Sequence, residues 1–321
     1  MEYRNKNQEG PALISGKEKK KERKYYGKIL ILIIFVIIFI EYYAYVFEVM
    51  LKYMNQKNFY LILTLLTIFH ILVLLVLMAF ISTMSINPGE IPLYWGFYIG
   101  DDDYKRKRYC LICNAFKPER SHHCSVCNKC VLNMDHHCPW VDNCIGFYNR
   151  KFFMQLLIFV VILTIYVDIS EAYFVIDMSL KLFKEYVKYS EIAHLGFVII
   201  SYVAILVFSV IIAIFLKFHL KLVLENSTTI ESLDTEHKND NAKFNIGPRQ
   251  NWEQVFGSEP WLWFFPISTK SGRPDGDGLS WKTKEQIGDS GIKSNERNKN
   301  FGVNNFGNNI NNNANFSPMT N

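Results

Sequence analysis

Four long apolar runs dominate the pattern of hydrophobic and polar positions along this 321-residue chain. They are Ile29–Phe47, Phe59–Ile81, Phe152–Val167 and Ala193–Leu216, and the third continues less cleanly towards Ile176. A helix of about 20 apolar residues crosses the roughly 30 Å of hydrocarbon in a bilayer. The pattern therefore predicts an all-α membrane protein with four transmembrane helices.

Polar segments between these runs divide the chain into six parts. We expect a basic N-terminus at 1–28, two transmembrane helices in 29–81, a polar segment at 82–151 with a cysteine-rich domain at 108–151, two transmembrane helices in 152–216, a C-terminal segment at 217–266 and a polar tail at 267–321. The tail is polar and from Asn295 is dominated by asparagine, so we expect residues 267–321 to be disordered.

The distribution of basic residues orients the predicted helices. Seven lysines and arginines between Lys17 and Lys28 precede the first run, whereas the next loop carries only Lys52 and Lys57. Since basic loops stay in the cytosol, both termini and the cysteine-rich segment are expected on the cytosolic side. The compartment stays open between the endomembranes, Golgi or endoplasmic reticulum, and the plasma membrane.

Charge elsewhere in the chain also favours contact with a lipid bilayer. The formal net charge of +5 is modest and concentrated near the predicted membrane face, so basic residues meet anionic headgroups and no nucleic-acid partner is expected. Three acidic residues fall within or beside the apolar runs: Glu41, Asp168 and Glu171. We expect them near water at the far ends of the helices, although Glu41 has the alternative of facing the bundle interior.

All seven cysteines lie between Cys110 and Cys144, interleaved with two histidine pairs. In the reducing cytosol such CxxC and histidine spacing is typical of structural zinc, not of disulfides. Two closed tetrahedral sites need eight ligands, so six cysteines and one histidine from each pair fill both sites and leave one thiol free. The sequence therefore predicts a two-zinc domain between the second and third helices.

The best candidate for the free thiol is Cys138. Asp135 and His136 precede it, and this order places a carboxylate and an imidazole beside a sulfur. These are the parts of an oriented base and a nucleophile, because a thiol that is mostly protonated near neutral pH needs a base to become reactive. The alternative interpretation is an inert buried thiol, which would leave the neighbouring carboxylate and imidazole without a function.

Several motifs together carry a family resemblance. They are KPERSHHC at 117–124, SVCNKC at 125–130, DHHCPWVDNCIGFYNRKFF at 135–153, TTIE at 228–231, Asn251-Trp252, and WFFP at 263–266. This set resembles the DHHC-type protein S-acyltransferases, or palmitoyltransferases. The chain departs from that family at Asn87-Pro88-Gly89, where the family pattern has Asp-Pro-Gly. Asn87 keeps a turn-forming side chain but lacks the negative charge of aspartate.

The resemblance implies a function and a set of site residues. Cys138 is expected to take a fatty acyl group from palmitoyl-CoA and pass it to a cysteine of a membrane-associated protein, with His136 as base and Asp135 as its orienting partner. The resemblance also assigns the ligands of the two structural Zn²⁺ ions. Cys110, Cys113, His123 and Cys130 would hold one ion, and Cys124, Cys127, His137 and Cys144 the other.

Some motifs keep a second interpretation. TTIE is also an ordinary capping box, and Asn251-Trp252 is also compatible with simple packing of an amphipathic segment on the membrane. The basic residues 105–108 are a candidate contact for coenzyme A phosphates or a solvated surface. Leu163, about 16 Å along the third helix from its predicted start, is a candidate for closing an acyl tunnel.

A different class of function is weighed against catalysis. The rival is a membrane-anchored zinc-binding interaction module, such as a ubiquitin-ligase adaptor of the RING kind, with no chemistry of its own. A RING-like arrangement normally closes with a final CxxC pair, whereas this block ends in the single cysteines Cys138 and Cys144. The spacing favours the acyltransferase.

Overall fold

The computed structural model describes residues 11–96, 108–184, 189–235, 242–269 and 272–286, with side chains from Tyr26 onward except at 182–184. Within these ranges four helices are long and apolar enough to cross a membrane, which confirms the predicted class. The helices are α1 (Pro11–Tyr43, continued by a π-helical stretch Ala44–Met50), α2 (Leu51–Tyr53), α3 (Phe59–Ser85), α4 (Arg150–Lys184), α5 (Tyr189–Leu224), α6 (Thr229–Leu233) and α7 (Pro248–Phe256).

Helix α4 forms the centre of the bundle. It packs against both α3 and α5. More than half of its most apolar stretch is buried, compared with less than a fifth of the corresponding stretches of the other three spanning helices. The exposed leucine, isoleucine and phenylalanine side chains of those helices are therefore available to lipid.

The half of the bundle distant from the cysteines has an apolar core with internal hydrogen bonds. Tyr45, Phe69 and Val198 belong to this core. The Tyr45 and Ser170 hydroxyls lie 2.9 Å apart, and Tyr166 donates to the Leu65 carbonyl at 2.7 Å. Such internal partners matter because lipid offers none to a polar group.

The acidic side chains of this region are more buried than the sequence predicts. Glu171 is 2% exposed and Asp168 is 9% exposed, so the expectation that both lie near water is wrong. Glu41 accepts a hydrogen bond from Ser201 of α5, in agreement with the alternative that it faces the bundle interior. Asp168 and Glu171 thus belong to the packed interior of the bundle, and Glu41 is half-buried at its edge.

The cysteine-rich domain consists of three antiparallel hairpins. They are β1 (Tyr109–Cys110) with β2 (Ala115–Phe116), β3 (His122–Cys124) with β4 (Lys129–Val131), and β5 (His136–Cys138) with β6 (Asn143–Ile145). In each hairpin a cysteine pairs with the residue five positions later: Cys110 with Ala115, Cys124 with Lys129 and Cys138 with Asn143. We call the turns that begin at these cysteines knuckles 1, 2 and 3.

Each knuckle turns through a residue in the left-handed region. These residues are Asn114, Asn128 and Asp142, with φ of 52°, 57° and 46°. Asparagine and aspartate tolerate this conformation better than other residues with a side chain. The three knuckles therefore share one backbone turn at intervals of 14 residues along the chain.

Two asparagines fasten this domain to the end of α3. Asn143 donates to the carbonyls of Thr83, Met84 and Ile86, at 3.0 to 3.1 Å, and Asn149 also donates to the Thr83 carbonyl. The last carbonyls of a helix have no partner within it, so these side chains act as a cap supplied by another domain.

The Asn-Pro-Gly turn after α3 makes a second attachment. The Asn87 side chain accepts from the Gly89 backbone at 3.1 Å, so asparagine still forms the turn. Pro88 and Gly89 carbonyls accept hydrogen bonds from Tyr148 and Leu132 of the cysteine-rich domain. Gly89 has φ of +118°, a conformation that a side chain would strain.

Candidate functional site

Two clusters of potential metal ligands occupy the cysteine-rich domain. One contains Cys110, Cys113, His123 and Cys130, and the other contains Cys124, Cys127, His137 and Cys144, with ligand atoms within 4.8 Å of one another in each. Three sulfurs and one imidazole nitrogen per cluster are a donor set that zinc binds as a closed structural site. The residues present thus fit two ions.

The imidazoles enter the clusters through Nδ1. His123 Nδ1 lies 3.2 Å from Cys113 Sγ and 3.6 Å from Cys110 Sγ. His137 Nδ1 lies 3.5 Å from Cys127 Sγ and 3.7 Å from Cys144 Sγ. These separations are those of atoms arranged around a common centre.

The two clusters interlock through the middle hairpin. Strands β3 and β4 bring His123 and Cys130 to the first cluster, while Cys124 at the end of β3 points into the second. Adjacent strand residues face opposite sides, which places His123 and Cys124 in different clusters. A metal ion in the first cluster would therefore join the first and second hairpins, and an ion in the second cluster would join the second and third.

Cys138 lies outside both clusters. It is 6% exposed and belongs to an apolar cluster that includes Phe80, Val141, Phe153 and Leu157. These side chains come from the cysteine-rich domain and from the ends of α3 and α4. The thiol is thus placed where the cysteine-rich domain meets the transmembrane bundle.

The imidazole of His136 joins Cys138 to a buried carboxylate. His136 Nδ1 lies 2.6 Å from Asp135 Oδ2, and interaction with the neighbouring Cys138 thiol is among the causes that raise the pKa of the ring. Asp135 is fully buried. The structure brings the three predicted residues together in the order carboxylate, imidazole, thiol.

Asp135 is held by residues of two further elements, α6 and α4. Thr229 donates to it twice, from its backbone N–H at 3.0 Å and from its hydroxyl at 2.8 Å. Arg150, the first residue of α4, lies 3.5 Å away. A buried carboxylate is stable only when its oxygens are paired, and here the pairing also fixes its position.

These partners set the charge of the pair. Burial raises the pKa of Asp135, but the positive charge of Arg150 and the hydrogen bond from His136 outweigh it and hold that pKa below its ordinary value. Burial lowers the pKa of His136, whereas its hydrogen bonds with Asp135 and Cys138 raise it to about 9. The arrangement thus strengthens the affinity of the imidazole for a proton.

His219 is a site residue that sequence reasoning missed. It lies near the end of α5, is 2% exposed, and its Nδ1 is 3.9 Å from Asp135 Oδ2. The rings of Phe153 and Phe215 pack edge-on against it. A histidine within an apolar run carries no sequence signal for this position, because only tertiary packing brings α5 beside β5.

The TTIE motif is a capping box and a support for the site at once. Thr228 Oγ1 accepts from the Glu231 backbone N–H, and the Glu231 carboxylate accepts from the Thr228 backbone N–H. This cap turns the chain so that Thr229 faces Asp135. Both interpretations drawn from the sequence hold.

Arg120 anchors the same motif to the cysteine-rich domain. Its guanidinium forms a bidentate pair with Glu231, at 2.7 and 2.8 Å, and packs on the rings of Phe244 and Trp281. Burial opposes ionisation of Glu231, but Arg120 outweighs it and lowers the pKa of that carboxyl. The pair is a strong bidentate contact at a buried position.

Part of the predicted tail packs on this region. Trp281 contacts Arg120 and Phe147, and Gly272 accepts a hydrogen bond from Lys151. This part of the chain differs from the disorder expected from its polar composition, because one tryptophan and backbone groups give it these contacts. The segment from Asn295 lies outside the described residues.

Two other predicted motifs have structural partners. Asn251 donates to the carbonyl of Leu224, the last residue of α5, at 2.7 Å and accepts from the Ile246 backbone. Arg108 donates to the carbonyls of Lys117 and Pro118, so its guanidinium holds the cysteine-rich domain together. The other three residues of the basic cluster, 105–107, lie outside the described residues.

Comparison with known proteins agrees with the site. A family model described as DHHC palmitoyltransferase matches residues 103–236. Probable protein S-acyltransferase 13 of Arabidopsis thaliana is 32% identical over 268 residues, 76% of this chain and 86% of the relative. Palmitoyltransferase ZDHHC20 of Bos taurus is 37% identical over 184 residues, and these cover 56% of this chain and 47% of that relative.

Proposed function

The chain belongs to the DHHC palmitoyltransferase family, and from this premise we propose that it transfers palmitoyl groups through a thioester on Cys138. The observation that carries the proposal is the position of Cys138. It is the one cysteine of the described residues outside the two ligand clusters, and it lies beside a histidine that is hydrogen-bonded to a buried aspartate.

The first step forms the acyl-enzyme. His136, whose raised pKa favours the protonated ring, takes the proton of the Cys138 thiol, and the resulting thiolate attacks the thioester carbonyl of palmitoyl-CoA. The bond between the carbonyl and the coenzyme A sulfur breaks, and His136 returns the proton to that leaving thiolate. One thioester replaces another, so little net free energy is needed.

The second step reverses these roles. The thiol of a protein substrate attacks the acyl group on Cys138 while His136 accepts its proton. The Cys138 thiolate leaves and is reprotonated by His136, which restores the starting enzyme. The substrate class is a cysteine-containing protein associated with the membrane.

Asp135 positions the base for both steps. Its hydrogen bond to His136 Nδ1 leaves the other ring nitrogen directed to the thiol. Thr229 and Arg150 hold the carboxylate in turn. Their contacts come from α6 and α4, so the geometry of the base depends on the packing of the whole cytosolic face.

The apolar cluster around Cys138 suits a fatty acyl chain. It continues along α4 from Phe153 to Leu157, and further along that helix Leu163 is partly buried against the distant core. A chain attached to Cys138 and directed along α4 would thus remain in an apolar environment. We propose Leu163 as the residue at which this path narrows.

The two Cys₃His clusters are proposed to hold structural zinc. Zinc bound by four protein ligands stabilises a fold and has no open position for water or substrate. The ligand histidines and cysteines surround Cys138 in sequence, so a metal-stabilised domain would hold β5 in place beside α4. Zinc would not touch the reacting thioester.

A membrane orientation completes the proposal. The basic N-terminal residues favour placing the cysteine-rich domain at the cytosolic face, where thiols stay reduced. The compartment is left open between Golgi, endoplasmic reticulum and plasma membrane.

Detection of the acyl-enzyme tests the function. Purified full-length protein is incubated with labelled palmitoyl-CoA, and the retained label is then challenged with neutral hydroxylamine, which cleaves thioesters. We expect label that hydroxylamine releases. A protein that never acquires label in a folded, metal-loaded state would contradict the proposal and favour the RING-like adaptor.

A further inference from the structure

A small pocket that contains two cationic side chains lies behind the start of α4, on the side opposite the thiol site. Arg150 and Phe153 face Asp135 and His136. Successive helix residues are rotated by about 100°, so Lys151 and Phe152 face the other way. There they line a cavity of about 220 Å³ together with Ile86, Asn87, Tyr148, Ser268 and residues 272–274.

Lys151 is an unusual residue for this position. Its side chain is 1% exposed, and its ammonium group donates to the Gly272 carbonyl at 3.2 Å and lies 5.8 Å from the centre of the Phe152 ring. Among the described residues no carboxylate lies within ion-pair distance of it. A buried ammonium with only neutral partners is costly, and an anion in the adjoining cavity would remove that cost.

The other residues that line the pocket also favour an anion. Arg273 supplies a second cation and is exposed at the edge, while Ser268 and Tyr148 carry hydroxyl groups. The described lining contains no acidic residue. Glu90, the acid bound to Asn87 beside the pocket, is also paired with Lys129. The local charge is therefore positive.

The size and location of the pocket limit the kinds of anion that it can bind. A cavity of about 220 Å³ is smaller than the roughly 300 Å³ of a typical pocket for a drug-sized ligand. It lies where α3 ends and α4 begins, at the boundary of two spanning helices. This is the depth at which lipid headgroups lie.

We propose that this pocket binds a phosphate group, as a phosphomonoester or phosphodiester, through Lys151 and Arg273. Two molecules present such a group at this boundary: an anionic phospholipid and coenzyme A. Either would tie residues 272–274 to the start of α4 and so couple its binding to the helix that carries Arg150 and Phe153.

Binding to full-length protein in detergent micelles tests the proposal without any acyl transfer. The probes are dioctanoyl phosphatidic acid, dioctanoylglycerol as the same lipid without phosphate, and coenzyme A. Arg273→Gln removes the exposed cation, and Arg249→Gln is the matched control, an exposed cation that pairs with Glu253 outside the pocket. We expect Arg273→Gln to weaken phosphatidic acid binding about fivefold or more, and Arg249→Gln to leave it unchanged.

The probes separate the two sources of phosphate. If Arg273→Gln weakens the binding of phosphatidic acid alone, the pocket is a lipid site. If it weakens the binding of coenzyme A alone, the pocket is a substrate site. Lys151→Met keeps the length of the side chain and should abolish either interaction, with Arg273→Gln deciding the matter if that variant does not fold. The proposal would be overturned if wild type and Arg273→Gln bound phosphatidic acid with the same affinity and also bound coenzyme A with the same affinity.

Discussion

Knuckles 2 and 3 share a strand register and a left-handed residue four positions after the cysteine, but their side chains differ. Each follows a strand of sequence His-His-Cys, and each pairs its second histidine with a cysteine on the returning strand. In knuckle 2 the residue three positions after the cysteine is Cys127, which completes a ligand pair with Cys124. In knuckle 3 that residue is Val141, and Cys138 has no second sulfur beside it.

The residue before each strand differs as well. Ser121 precedes β3, and its hydroxyl is buried without a partner among the described residues. Asp135 precedes β5 and is bound by His136, Thr229 and Arg150. The comparison indicates how one repeated turn could present either a metal ligand or the proposed nucleophile, according to the residues three positions before and three positions after the cysteine.

The largest expected effect separates the two cysteines. Cys138→Ser should lower acyl transfer on the order of 1000-fold or more, since it removes the nucleophile, and should leave two zinc ions per chain. Cys124→Ser should lose zinc and folding together, because a structural zinc contributes ~10 kcal/mol or more to the folded state. Metal analysis and transfer rates on purified variants check both.

The other metal ligands extend this test. Alanine at Cys110, Cys113, Cys127, Cys130 or Cys144 should resemble Cys124→Ser and not Cys138→Ser. An active wild-type preparation with fewer than two zinc ions per chain would contradict the claim that both clusters hold structural zinc.

The histidines give the next largest difference. His136→Ala should slow transfer about 100-fold or more, because it removes the base. His122→Ala changes the equivalent residue of β3, which lies in neither metal cluster, and should alter the rate by less than about threefold. Similar losses in the two variants, with zinc content preserved, would remove the special role of knuckle 3.

The support of Asp135 is expected to have a smaller effect. Thr229→Val deletes the hydroxyl bond to a buried carboxylate and should slow transfer about tenfold, while the backbone bond remains. Ser232→Ala, on the exposed side of the same short helix, is the control. A rate for Thr229→Val equal to that of the control would show that the hydroxyl contributes nothing to the base.

Much of this comparison could be predicted from the sequence. The odd number of sulfurs and the Asp135-His136 neighbours single out Cys138, and the apolar runs predict the four helices. The spacing of 14 residues between knuckles is visible in the sequence too, but only the shared φ values and strand registers show that it is a structural repeat.

The remaining site residues depend on contacts that no local pattern encodes. His219 reaches Asp135 because α5 ends beside β5, and Trp281 reaches Arg120 from a segment whose composition resembles a tail. The burial of Glu171 was missed for a related reason. Charged residues are exposed to solvent on average, whereas the exposure of Glu171 is determined by the tertiary packing of α4.

A moderate effect is expected at the far end of the proposed acyl path. Leu163→Trp should shift preference from palmitoyl towards shorter donors by about fivefold, and Leu163→Ala should admit longer ones. Ile165→Trp, on the lipid-exposed side of α4, is the control. Self-acylation with donors of graded length measures the shift, and an unchanged profile in both Leu163 variants would place the end of the path elsewhere.

The smallest effect concerns the chain beyond the described contacts. Ending the protein before Asn295 should leave the transfer rate within about twofold, since a segment rich in asparagine buries too little apolar area to order itself. The truncated chain keeps Trp281 and Gly272. A rate loss of tenfold in detergent would show that the removed residues support the catalytic domain.

Native mass spectrometry after a single exposure to palmitoyl-CoA tests the central claim most directly, because it counts metal ions and acyl groups on the same molecule. The account predicts a species with two zinc ions and one palmitoyl group, and fragmentation should locate that group on Cys138. Acylation on another cysteine, or acylation that appears only with the loss of a zinc ion, would contradict the assignment of knuckle 3 as the reactive turn.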